Sequence, residues 1–471
     1  MATRNHTLKT IRCAAALMGV VLPGLIGCHA FQPTVDEASS RTVQFVPGAP
    51  NFDMDAVAAI DGMVTAIDVY MTAPLATLTF VDRGSAFEAR VQTVARALSP
   101  RGRRLLAEEA WIDTISVPTY EDTQLFEVWP SEKRLTAAPG RYVIEVVMES
   151  LDSGASAVRR QVVEIPDPAS DQAAFSGIRL SVRRGEGGFV PFVSVQIPAD
   201  FDSLQATVTL IRPEEGMDLE MRLLRYVADT SSAGAPFEFA PTYFDLRVMG
   251  VDYGAYEVVQ HTRRRLINPD RQVEVVFSLP PLDPGAYGVE VVASTDSRPV
   301  LQVNREFSVL DAAFPRVETI DQMIDALVYI ARRREFRELR APGTPEERRS
   351  RFDAFWGSLI PNRQEAAAVM KQYYSRVEEA NILFSNFKEG WKTDRGMILI
   401  VLGMPLVREM EPRGEIWRYS LTDRLIPDYR FERVTHPTLH AYYPHFMLRR
   451  SQHLEESWSR AVDRWRTGRV L

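Results

Sequence analysis

Between residues 45 and 167, apolar and polar residues alternate in short runs. They cover 64–70, 76–81, 87–91, 125–129 and 142–147. Turn signals divide them: Asp82-Arg83-Gly84, Ser99-Pro100-Arg101-Gly102 and Pro139-Gly140. A period of two puts alternate side chains on one face of a strand, and many short strands broken by turns predict a β-sandwich. A second block, 176–310, repeats the plan with runs at 178–182, 206–211, 273–277 and 288–292 and a Gly185-Glu186-Gly187-Gly188 turn. Near residue 316 the period changes to about 3.6. Ile320, Met323, Ile324, Leu327, Ile330 and Ala331 predict one helix ending near Leu339, which Pro342-Gly343 breaks. Thr344-Pro345-Glu346-Glu347 reads as a capping box opening a second helix, and Asn362 with Glu365 opens a third. The apolar run 397–402 and then 415–419 predict strands. The fold class is therefore multi-domain: two all-β sandwiches (45–167 and 176–310) followed by a helix-rich α+β domain (316–471).

The two β blocks share a segment. Residues 139–147 and 284–292 both fit Pro-Gly-x-Tyr-x-x-Glu-Val-Val. Pro-Gly makes a tight turn, and the Tyr enters a strand whose alternate residues face a core. This resembles the tyrosine corner of immunoglobulin and fibronectin type III sandwiches, whose hydroxyl bonds back to nearby backbone. It implies a structural role for Tyr142 and Tyr287. The stretch 228–262 is less regular and aromatic (Phe237, Phe239, Tyr243, Phe244, Tyr253, Tyr256). It reads as extra strands or as a long excursion.

The chain opens differently. Arg4, Lys9 and Arg12 precede an apolar stretch from Cys13 to Ile26, which suits a signal-peptide core better than a bilayer span. It ends in Leu25-Ile26-Gly27-Cys28, which resembles the bacterial lipobox. That resemblance implies a signal peptide (1–27) cut before Cys28, and diacylglycerol on the Cys28 sulfur. Two or more acyl chains, at about 0.8 kcal/mol per buried CH₂, anchor a protein stably. Cys13 and Cys28 are the two cysteines of the chain, so the body is expected to be thiol-free. Residues 28–44 read as a flexible tether. The position after Cys28 is His29, not Asp, which leans towards the outer membrane. The expected location is thus exported and membrane-anchored, in the outer membrane or facing the periplasm.

Composition refines this picture modestly. The chain of 471 residues is 45% hydrophobic and 25% charged, as a folded globular protein would be. Its net charge of -7 is uneven: the C-terminal third is mildly basic and the remainder acidic. Two solvated surfaces explain that, as does a basic part facing anionic lipid or an acidic partner.

Chemistry concentrates around Trp391. Phe355-Trp356; Tyr373, Tyr374, Arg376, Val377, Ala380 and Asn381; Gly390, Trp391, Thr393, Asp394, Arg395 and Gly396; Gly403 and Pro405; and Glu415, Trp417 and Tyr419 occur in that order. This resembles the GWxTD domain of bacterial envelope proteins, over about residues 316–420. The family's strand usually runs into Gly-Pro-Pro-Asp-Glu; here it reads Gly403-Met404-Pro405-Leu406-Val407, with Glu409 the nearest replacement for the acid. The resemblance implies architecture more than mechanism. On a structural reading, Gly390 supplies positive φ, Trp391 pins the loop, Thr393 and Asp394 satisfy turn amides, Arg395 pairs with an acid and Gly396 permits close backbone approach. On a functional reading, Asp394 works as acid/base or ligand and Arg395 grips an anion in a cleft.

His436, His440 and His445, near Asp428 and Glu432, are weak candidates for a metal; Pro437 and Pro444 interrupt any helix that would align them. No phosphate-loop, dinucleotide, zinc-protease, serine-hydrolase or CxxC motif occurs, and no cofactor is expected. No basic stripe with stacking aromatics suggests nucleic acid. The tail 448–471 reads as a basic amphipathic helix that packs on its domain or docks to a membrane surface or a partner. The expected partners are the membrane, through lipid on Cys28, and an envelope protein or polymer. The expected function is a lipid-anchored interaction or scaffold module, with a non-catalytic role favoured. The alternative is an envelope enzyme acting on a surface polymer or peptide through Asp394 and Arg395.

Overall fold

A computed structural model describes residues 49–102, 104–125, 127–238, 245–411, 413–420, 426–434 and 445–470. Cys28, the segments 1–27 and 28–44, His436 and His440 lie outside the described residues.

The first β region has two layers. One sheet orders the strands Asp53–Asp61, Val64–Pro74 and Val128–Thr136. The other orders Val81–Asp82, Phe87–Leu98, Gly140–Ser150 and Ser156–Ile165, and Leu105–Val117 also pairs with Phe87–Leu98. Ile67, Val69, Val91, Ile144 and Val146 fill the space between. The strand expected at 76–81 is not found over 76–80. Leu75–Thr77 is a 3-10 turn after Pro74, and the strand is only Val81–Asp82. Proline ends the preceding ladder because it has no N–H to donate.

The second β region repeats the layering. Val190–Pro191, Ala174–Arg183, Ser203–Ile211 and Gln272–Leu279 form one sheet. Gln196–Pro198, Arg298–Leu310, Gly285–Thr295, Asp218–Ala228 and Val251–Arg265 form the other. The expected corners are present in both regions. The Tyr142 hydroxyl donates to the Ala138 carbonyl at 2.7 Å, and that of Tyr287 to the Asp283 carbonyl at 2.8 Å. Of the aromatic stretch 228–262, Phe239, Tyr243 and Phe244 lie outside the described residues; the short helix Leu246–Met249 leads into the edge strand Val251–Arg265, which carries Tyr253 and Tyr256.

The C-terminal domain is helix-rich, as expected. The expected single helix to Leu339 is two, Ile320–Ala326 and Arg333–Leu339, parted by the 3-10 turn Leu327–Tyr329. The second starts afresh because Glu335 accepts the Arg332 N–H. Thr344 and Asn362 cap Pro345–Leu359 and Arg363–Phe384 as their sequences predict. A four-stranded antiparallel sheet, Val407–Glu411, Gly414–Arg418, Tyr429–Arg433 and Phe446–Leu448, closes one side. The helix Glu455–Arg466 buries Trp458, Ala461 and Trp465. Its apolar face is therefore covered by its own domain. Among the described residues no helix is long and apolar enough to cross a membrane.

One element differs in kind. The run 397–402, expected as a strand, belongs to the helix Asp394–Leu402. Six consecutive apolar residues have no period that separates a strand from a buried helix. Thr393 decides locally: its hydroxyl accepts the Gly396 N–H at 3.1 Å and starts the first turn. Met397, Ile398, Leu399, Ile400 and Val401 are all buried, so the helix is apolar on every side.

Candidate functional site

The segment from Gly390 to Gly396 sits at the base of this buried helix. Gly390–Lys392 forms a 3-10 turn lodged against the helix Arg363–Phe384. A Cβ on Gly390 would lie 1.9 Å from the Ala380 carbonyl oxygen, and one on Gly396 1.9 Å from the Gly390 oxygen. Both glycines are there for close backbone approach. The expected positive φ at Gly390 is not found. The turn's polar groups are bonded by side chains from afar. Ser385 Oγ accepts the Gly390 N–H at 2.7 Å, Asn381 Oδ1 accepts the Trp391 N–H at 3.1 Å, and the Tyr329 hydroxyl donates to the Trp391 carbonyl at 2.8 Å. The Trp391 ring packs edge-on to Tyr329. Its role is that of a pin, as expected.

The two charged residues of the motif are buried at 5% and 6% exposure and face different partners. Asp394 accepts two bonds from Arg450, at 2.6 and 3.0 Å, and a third from the Leu448 N–H at 2.6 Å. Arg395 pairs with Glu415 at 3.3 Å, and Arg408 grips the other oxygen of that carboxylate. The Arg395 guanidinium also stacks on Phe446 and Phe384, 4.1 and 4.8 Å from their centroids. Burial pushes the Arg395 guanidinium down to about 10, against the opposing pull of Glu415, so it stays charged at neutral pH. Burial would push the Glu415 carboxyl up, but Arg408 and Arg395 outweigh it and hold it below its ordinary value. Glu409, the candidate substitute acid, pairs with Arg418 at 2.7 Å.

Beside Asp394 lies a partly open cleft of about 70 Å³ between the C-terminal domain and residues 229–238 with Arg247, which lie between two strands of the second β region. Thr393, Asp394, Lys388 and His445 line it from one side, and Asp229, Ser231 and Gly234 from the other. Arg395 does not line it. The two walls are fastened together. Lys388 Nζ bonds Asp229 at 2.9 Å and the Ser231 carbonyl at 2.8 Å, Arg450 reaches the Gly234 carbonyl at 3.2 Å, and the Ala233 N–H bonds the Lys392 carbonyl at 3.0 Å. Burial would raise the Asp229 carboxyl, but the Lys388 ammonium and the Ser231 bonds prevail and keep it below its ordinary value. Next to Lys388, Phe387 is buried against Val251 and Ala286 of the second β region.

His445, the one described member of the histidine trio, is also buried, edge-on to Phe387. Burial, with Lys388 and Arg395 nearby, pushes it down to about 3, so it is neutral at physiological pH. Among the described residues no group of three metal-binding side chains occurs. Sequence reasoning missed Arg450, Lys388, Asp229 and Arg408. A buried acid calls for a cation, but spacing alone does not choose one among the many arginines.

Residues 291–467 match the family model of the GWxTD domain. The match begins inside the strand Gly285–Thr295, so it takes in the last strand of the second β region. No curated protein matches the chain. Solved structures similar to parts of it include red sea bream transglutaminase, with a TM-score of 0.17, 10% identity, and 55% of this chain and 31% of that one covered. A mutant of Salmonella alpha-2-macroglobulin gives a TM-score of 0.18, 15% identity, and 57% and 17% coverage. The chain spans less than a third of the length of either.

Proposed function

Residues 291–467 being a GWxTD domain, we propose that this chain is a lipid-anchored envelope protein that works as an interaction and scaffold module. The single observation that carries the non-catalytic reading is the engagement of the motif's own charges. Asp394 is held by Arg450 and the Leu448 amide, and Arg395 by Glu415, all in buried surroundings. A general acid/base needs a proton site open to substrate. Here the carboxylate instead joins the motif to the strand Phe446–Leu448 and, through Arg450, to Gly234 of the second β region. The segment thus serves as the joint that sets the C-terminal domain against the β regions. A fixed joint suits a protein that presents surfaces at defined relative positions.

Anchoring rests on the lipobox-like Leu25-Ile26-Gly27-Cys28. The test joins address and role. Cys28→Ser is expected to abolish acyl labelling and move the protein from the membrane to the soluble fraction. In situ cross-linking of the anchored protein is expected to give a reproducible envelope partner. The reading fails if the wild type takes up no acyl label. It also fails if Asp394→Asn, in a folded protein, abolishes turnover of an envelope substrate.

A further inference from the structure

His445 lines the cleft beside Asp394 and is 6% exposed. Among the described residues neither of its ring nitrogens has a hydrogen-bond partner. The Val248 carbonyl favours a ring N–H on its side without coming into bonding geometry. The other nitrogen of the neutral ring is then a bare acceptor. The same cleft holds a spare donor. Lys388 is 5% exposed, and an ammonium carries three N–H groups. Two of them go to Asp229 and to the Ser231 carbonyl, at 2.9 and 2.8 Å. The third is unspent. A buried polar group without a partner costs free energy, so the two together favour a guest that satisfies both.

The charges of the cleft limit what that guest is. Every charged side chain lining it has an opposite partner at 3.8 Å or less. An added ion would be buried without a counter-charge, which is costly. The guest is therefore neutral. A carboxylate or a phosphate dianion cannot donate to the imidazole nitrogen, and an ammonium cannot accept from Lys388. A hydroxyl does both through a single oxygen. The cleft is partly open, and its volume of about 70 Å³ is several times the ~10–15 Å³ that one water needs. It admits one edge of a polyol whose remainder stays in solvent. We infer that this cleft binds the hydroxyl edge of a neutral sugar belonging to an envelope glycan, with Lys388 donating to a sugar oxygen and His445 accepting a sugar O–H. The sugar names a partner chemistry for the scaffold module, and it rests on that reading for its envelope source.

The experiment is a titration of the full chain, labelled in its histidine rings and methionine methyls, with three neutral hexoses: glucose, galactose and mannose. NMR follows the His445 ring and the methyl of Met447, which also lines the cleft. Both are expected to shift saturably, with half-saturation at about 1–10 mM, as for a few neutral hydrogen bonds. The exposed rings of His261 and His453 are expected not to move. His445→Phe keeps a planar ring against Phe387 and is expected to raise the half-saturation of the Met447 shift about tenfold or more. No saturable shift with any of the three hexoses up to about 100 mM overturns the proposal, whatever becomes of the variant. Acetate, phosphate or acetamide moving these signals where the hexoses do not overturns it too, since the guest is then charged or an amide. So does a folded His445→Phe chain that binds as the wild type does. Failure here leaves acyl labelling of Cys28 untouched, whereas loss of that label with sugar binding intact sinks the anchored-scaffold reading and leaves the site standing.

Discussion

The tyrosine corners and the Gly390–Gly396 segment do the same job at opposite ranges. Each fixes a large ring and satisfies a turn. Tyr142 and Tyr287 bond carbonyls four residues upstream, so each corner closes on itself. The Trp391 turn takes its partners from Tyr329, Asn381 and Ser385, and its Asp394 from Leu448 and Arg450. One motif is a local device that works wherever a strand follows a Pro-Gly turn. The other works only inside an assembled domain, with a neighbour against it. The difference teaches that a short, specific sequence motif is no measure of how locally it acts.

The largest expected effect tests that remoteness. Asp394→Asn leaves the Arg450 charge buried and unpaired, which costs about 3–5 kcal/mol. A fall in the urea midpoint checks this, and Asp394→Asn/Arg450→Met should recover most of it. A loss below about 1 kcal/mol would show that the pair holds nothing together. Gly396→Ala should cost about 3 kcal/mol, because a Cβ there meets backbone that cannot rotate aside. Calorimetry reads it.

A smaller, local effect concerns the clasp. Lys388→Met should raise amide exchange at Ala233 by about tenfold, with the sandwich cores still protected. The clasp should also weaken in acid. The Asp229 carboxyl is held below its ordinary value in the folded protein, so its contribution is present above the unfolded value of about 4 and is lost as pH falls through the folded one. Asp229→Asn should remove that part of the pH dependence, measured by exchange at Ala233. The smallest effect sharpens the other side of the comparison. Tyr142→Phe and Tyr287→Phe should each cost about 1 kcal/mol, one neutral hydrogen bond, and the costs should add because the corners are independent.

Much of the architecture was legible in the residues. Alternation and Pro-Gly turns marked the β regions, and Thr344 and Asn362 marked two helix starts to the residue. The strand Leu105–Val117 was harder to see, since its exposure on both faces leaves polar residues such as Glu108 and Glu109 side by side. The helix Asp394–Leu402 does not show its type in the sequence, because total burial erases periodicity.

By itself the sequence determined the period of each region, its caps and its corners, because those depend on contacts within a few residues. It also placed Trp391 as an anchor. Tertiary structure alone decided that Asp394 meets Arg450, that Arg395 meets Glu415, and that Lys388 crosses to Asp229. Coulombic attraction acts through space between any opposite charges, and only the folded chain selects which of them are brought within reach and shielded from water.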